Sequence, residues 1–258
     1  MRTINFVTNR PAITGGFGPP PPCGANEMLT FGAIPVEPSP DPANTGHIAG
    51  PLAARGAVAC SVPGPDAPLV AHLTRLIADA ARAAQTPIVI IHGYSYSFQD
   101  AVIRTADVCT WLEAGDFPVD LAPLLFTWPS VNSLTPDNYL ADRGRAEASA
   151  NALARFILAF AAAWRTAGKP TCHFLAHSMG NWATQTGLRA LAAMQGTNLP
   201  PDLFEQAILI GATPTSPLSS PAKASTNSPA SPKPSQSAST APTSPPASPP
   251  PTSSSAPA

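Results

Sequence analysis

The chain has 258 residues, of which 34 are proline and only 11% are charged, against roughly 25% charged residues in ordinary soluble domains. A formal net charge of −1 supplies no basic footprint for nucleic acid and no polybasic membrane patch, and no run of about 18 apolar residues exists to span a bilayer. Met1 to Val7 lack the apolar core and cleavage site of a signal peptide, and the scattered Cys23, Cys60, Cys109 and Cys172 form no Cys-x-x-Cys pair, which argues against a zinc site or disulfide framework and for a reducing cytoplasm.

The proline is concentrated at the two ends: residues 1–70 hold 13, residues 213–258 hold 13, and the 142 residues between them hold 8. Three regions follow: strands and loops over 1–66, an alternating α/β core over 67–212, and a low-complexity tail over 213–258. In the first, Thr3–Asn9 and Leu29–Val36 have strand-like content. The Gly/Pro-rich stretches Gly15–Gly24 and Glu37–Pro51 read as mobile connections.

From Pro68 the pattern changes. Leu69, His72, Leu73, Leu76, Ile77 and Ala80 recur at helical spacing, which predicts a helix over Ala67–Gln85. Pro87–Ile91 is a short, wholly apolar run, as expected of a central strand covered on both faces. A helix around Phe98–Glu113 and a strand at Ala122–Trp128 follow. The next helix is placed over roughly Asp142–Ala167, with Asp142 as its cap. A strand at Thr171–Ala176, a helix at about Met179–Met194 and a strand at Gln206–Ile210 complete the core. This alternation predicts a doubly wound, mostly parallel sheet.

The strand His173-Phe174-Leu175 runs into Ala176-His177-Ser178-Met179-Gly180 and then a helix. That is the setting of a nucleophile elbow, Gly-x-Ser-x-Gly, with Ala176 at the first glycine position. A serine on so sharp a turn needs small neighbours two residues to either side, and the helix N-terminus that follows faces a developing negative charge. The strand Pro87–Ile91 ends in His92-Gly93-Tyr94, which suits an oxyanion loop; the N–H groups of Met179 and Tyr94 are then the two donors. His92, Gly93, Trp128 and His177 are the candidate lining of a substrate pocket. Trp128 has a competing reading as a core tryptophan, and Ser97 reads either as a substrate contact or as a helix cap.

Together with Trp128-Pro129-Ser130, Tyr139-Leu140-Ala141-Asp142-Arg143 and the opening segments Phe6-Val7-Thr8-Asn9-Arg10 and Leu29-Thr30-Phe31-Gly32, these motifs resemble an α/β-hydrolase family of unknown function over roughly residues 3–212. The resemblance implies hydrolysis of an ester, thioester or amide of a small acyl substrate through an acyl-enzyme on Ser178. It calls for no metal and no cofactor.

The triad of such an enzyme follows the chain order Ser, acid, His. All five histidines (His47, His72, His92, His173 and His177) lie before Ser178. Asp202 and Glu205 precede the last strand, whereas the resemblance places the acid after it, where Thr213-Pro214-Thr215 stands. None of the histidines is a tidy substitute. His177 is expected to point away from the serine hydroxyl, His92 to be structural, and His47 to lie in a flexible loop. The tail carries 13 prolines, 14 serines and no acidic or aromatic residue, a composition expected to stay disordered. Its abrupt onset near Ala212 reads as a frameshift, with a genuine linker after a truncated domain as the competing reading. The open edge beyond Gln206–Ile210 is expected to lower solubility. The second functional reading is a catalytically inactive pseudo-hydrolase that at most binds acyl-like ligands.

Overall fold

The computed structural model describes residues 1–18, 28–59, 66–115, 119–194 and 199–211. Cys23, Cys60 and the whole 213–258 tail, with the reading of that tail as disordered or frameshifted, lie outside the described residues. Chain contacts separate a compact unit, Met1–Thr215, from Ser216–Ala258.

The unit is a mixed sheet covered by helices on both faces. Strand β1 spans Arg2–Thr8, and the short β2 (Ala12–Ile13) and β3 (Gly16–Phe17) make a separate hairpin. Strand β4 (Met28–Glu37) pairs antiparallel with β1, and β5 (His47–Ile48) and β6 (Ala53–Ala59) pair antiparallel with β4. Next come helix α1 (Ala67–Arg82), strand β7 (Thr86–Ile91), helix α2 (Phe98–Ala114) and strand β8 (Leu121–Thr127). Helices α3 (Pro136–Ala148) and α4 (Ala150–Thr166) lead to strand β9 (His173–His177), helix α5 (Met179–Ala193) and strand β10 (Gln206–Ile210). The order across the sheet is β10-β9-β7-β8-β1-β4-β5, and the pairings from β10 to β1 are all parallel. The expected α/β sheet, mostly parallel and doubly wound, is therefore present, with an antiparallel flank at its N-terminal side.

The alternation of side chains along the central strands decides the layers. Val89, Ile91, Phe174 and Ala176 point to one face, where they pack with α1, α4 and α5 residues such as Leu73, Phe156, Phe160 and Ala183. Ile88, Ile90 and Leu175 point to the other, against Cys109 of α2. Arg155 of α4, almost wholly buried, donates to Asp66 Oδ2 at 2.6 Å and fastens the start of α1 to α4.

Four expectations are corrected. Glu37–Pro51 is not a free connection: the Asp107 carboxylate of α2 accepts from Ser39 N–H at 2.7 Å and Gly46 N–H at 3.3 Å, and Trp111 Nε1–H donates to Ser39 O at 3.0 Å. Asp142 is no helix cap. The helix begins earlier, with Thr135 as its cap, and Asp142 sits fully buried inside α3. The single long helix is broken at Ser149 with a 47° bend. Ser149 Oγ donates back to Arg145 O at 2.8 Å while accepting from Asn9 Nδ2 at 2.9 Å, a back-bond that bends helices, here tied to a strand end far away in the chain. The fourth is His47, placed by the sheet order on the far flank from β9 rather than in a loop able to fold over Ser178.

Candidate active site

Ser178 stands between the end of β9 and the first turn of α5, with φ 50° and ψ −121°. A non-glycine residue in this sparsely populated region stores on the order of 1–3 kcal/mol and persists only where its surroundings hold it. They do so from three sides. The Ser178 N–H donates to Ile210 O at 2.8 Å, and Asn181 Nδ2 reaches the same carbonyl at 3.0 Å and Ser178 O at 3.1 Å. Gly180 lies so close to the end of β7 that a Cβ there would stand 2.6 Å from both Ile91 O and His92 O. At Gly93 an added Cβ would meet Ser178 Cβ at 3.1 Å and His177 Nδ1 at 2.8 Å. Gly180 is thus required by close packing, as the pentapeptide spacing implies, and Ala176 is fully buried.

The loop after β7 is held from beneath. His92 Nδ1 lies 2.8 Å from Gly93 O, an acceptor only, so this nitrogen carries the proton. Nε2 therefore accepts, and Thr127 Oγ1 donates to it across 3.0 Å. The same hydroxyl accepts from Arg10 Nε–H at 2.9 Å. Arg10 is 1% exposed, and its remaining donors reach Ser130 O at 2.9 Å and Tyr96 O at 2.8 Å. Burial holds the guanidinium down at a pKa of about 9, and burial together with the Arg10 charge pushes His92 down to about 3. His92 is thus a neutral imidazole with both nitrogens engaged. Because its proton fixes the Gly93 carbonyl, the planar trans peptide turns the Tyr94 N–H the opposite way.

A second layer supports this one. Trp128 is fully buried, stacks on the His92 ring at 5.2 Å and 9°, and donates its indole N–H to His92 O at 3.0 Å. The structure places it behind the loop rather than on the lining of the adjacent cavity. Asp142 accepts from Ser130 Oγ at 2.6 Å, from Val131 N–H at 3.1 Å and from Arg145 at 2.7 Å, which fixes the turn that carries the Arg10 contact. Ser97 is a cap: it accepts from Asp100 N–H at 3.1 Å in a capping box that starts α2.

His177 is exposed and faces the α2 side, where it lines a cavity of about 280 Å³ together with Gly93 and His92. Its pKa is lowered, mainly by burial and then by the charge of Arg104. Among the described residues no histidine donates to or accepts from the Ser178 hydroxyl. His72 lies in α1, its ring tilted at 32° against Phe31, and His173 begins β9 at the end away from the turn. Arg10, Thr127, the Ser130–Asp142 pair and Arg104 escape a sequence reading. The one available signal is a lone cation, Arg10, closing the otherwise uncharged run from Thr3.

A mostly parallel sheet sandwiched by helices, with a serine at positive φ on a strand-to-helix turn and a His-Gly loop packed against it, defines an α/β-hydrolase fold. The chain belongs to the family of alpha/beta hydrolases of unknown function (DUF900), which matches residues 71–217. No curated protein and no solved structure matches the chain.

Proposed function

We propose that the chain is a serine hydrolase that cleaves an ester, thioester or amide of a small acyl substrate through an acyl-enzyme on Ser178. The observation that carries this reading is the strained Ser178 backbone, held at φ 50° by Ile210, Gly180 and Gly93 at the mouth of α5. Proteins keep such strain where surrounding structure over-determines it, and a hydroxyl raised on this turn meets a substrate carbonyl from the sheet's C-terminal edge. The Met179 N–H at the first turn of α5 and the Tyr94 N–H, turned outward by the His92–Gly93 bond, are the two oxyanion donors. In the first half-reaction the Ser178 Oγ–carbon bond forms, the bond to the leaving group breaks, and the serine proton passes to the leaving group. Water then attacks the acyl carbon, adds its proton to Ser178 Oγ and releases the acid. The buried thiols of Cys109 and Cys172 suit a cytoplasmic setting, and no single described helix is long and apolar enough to cross a membrane.

The lack of an imidazole on the Ser178 hydroxyl among the described residues favours a second reading, in which acyl ligands bind but turn over slowly or not at all. Removing the base of a serine triad costs several orders of magnitude in rate. A fluorophosphonate probe separates the readings. Labelling of the full chain that disappears in Ser178→Ala supports the activated serine, and a chain that takes no label, or takes it equally in Ser178→Ala, overturns it.

A further inference from the structure

The cavity on the α2 side of the sheet has a composition that selects a ligand. Its apolar walls include Ile90, Leu175 and Ile210 from the strands and Val108 and Trp111 from α2; His92, Thr105 and His177 add polar groups, and Arg104 is the charged side chain. The Arg104 guanidinium carbon lies 5.3 Å from the Trp111 ring centroid, a cation–π contact that holds the charge against the wall. Among the described residues no carboxylate forms an ion pair with Arg104. The two acids within one turn of it on α2 are already engaged. Asp100 accepts from Ser97 and Asn132, and Asp107 accepts from the Ser39 and Gly46 N–H groups. Across the cavity the His177 pKa is lowered first by burial and, secondarily, by the charge of Arg104.

We infer that this cavity binds a medium-chain monocarboxylate, its hydrocarbon along Ile90, Val108 and Leu175 and its carboxylate on Arg104. A half-open, largely apolar cavity whose one cation has no ion-pair carboxylate among the described residues favours an amphipathic anion over a neutral lipid or a polar anion. The cavity of about 280 Å³ lies near the lower end of small-molecule sites, which suits a medium-chain acid, with octanoate as the trial length. Binding here needs no turnover at Ser178, so its fate is separable from that of the proposed hydrolysis.

Octanoate is the probe, titrated calorimetrically into the full chain and into variants. The expected result is saturable binding that Arg104→Gln weakens about tenfold or more, the usual scale for losing a charge-assisted hydrogen-bonding partner. Arg104→Lys retains much of the affinity, octanol binds the unaltered chain no better than octanoate binds Arg104→Gln, and Val108→Trp abolishes binding by filling the space. Ser178→Ala leaves the affinity unchanged. Absence of octanoate binding overturns the assignment, as does equal affinity in Arg104→Gln, octanol matching octanoate, or loss of binding in Ser178→Ala.

Discussion

Thr127 and His92 are joined by a 3.0 Å hydrogen bond in which the threonine hydroxyl donates to imidazole Nε2, having accepted from the buried Arg10. The chain of contacts Arg10–Thr127–His92–Gly93 therefore runs from the end of β1, through the end of β8, to the loop that faces Ser178. Every proton in it has one placement, because guanidinium only donates and the Gly93 carbonyl only accepts. Thr127→Val removes the hydroxyl while keeping the shape. It leaves His92 Nε2 and Arg10 Nε–H without their partner in a buried site, at a cost of about 1–3 kcal/mol each. The expected outcome is a lowered denaturant midpoint and slower fluorophosphonate labelling of Ser178, read by denaturant titration and by labelling kinetics.

The depressed His92 pKa sets a direction for the acid response. The folded imidazole holds off protonation down to about pH 3, whereas the unfolded one takes its proton near 6.5. Between these values the unfolded state binds more protons, so stability falls as pH falls. From pH 6.5 to pH 5 the His92 share amounts to about 2 kcal/mol. His72, lowered to about 4, acts in the same direction. Urea titrations at the two pH values are expected to show the loss in the unaltered chain and a shallower loss in His92→Gln. An equal pH dependence of the two would refute this account.

At Gly180 the limit is steric. A methyl group at 2.6 Å from the Ile91 and His92 carbonyl oxygens meets rigid backbone on a central strand, so the helix start or the strand end has to move. Gly180→Ala is expected to cost about 1–3 kcal/mol by overpacking and to reduce Ser178 labelling, since the displaced elements form the turn. Gly144→Ala is the matched control, because nothing lies within 4 Å of a Cβ there.

Among the described residues β10 is the last strand of the sheet, and Leu209 on it is 56% exposed. An uncharged apolar edge is a template for intermolecular pairing. Leu209→Lys is expected to raise the concentration at which the protein stays monomeric, measured by light scattering after mild heating. A chain that scatters no more than its Leu209→Lys variant would count against the exposed edge as the cause.

Much of the fold is legible in the sequence because its signals are local. Pro87–Ile91 is apolar throughout since a central strand is covered on both faces, and β7 lies where that run predicts. The small residues around Ser178 report the tightness of a turn that spans five residues. Strand β6 is harder to see: Ala53-Ala54-Arg55-Gly56-Ala57-Val58-Ala59 has few β-branched residues, and it is a strand because β4 offers it an edge to pair with. The break at Ser149 is equally invisible, since it depends on Asn9, 140 residues away.

By itself the sequence determined the strand–helix alternation of the core from α1 to β10 apart from the break between α3 and α4, the strand–turn–helix that presents Ser178, and the order of motifs that marks an α/β hydrolase. These rest on periodicity and on steric limits within a few residues. Only the tertiary structure decided that Arg10 and Thr127 lock His92 as a neutral support, that Trp128 lies behind the loop, and that Arg104 faces an apolar cavity without a carboxylate partner among the described residues. Proton placement and the strength of a charge depend on burial and on partners from other strands. Those partners meet only when the sheet assembles.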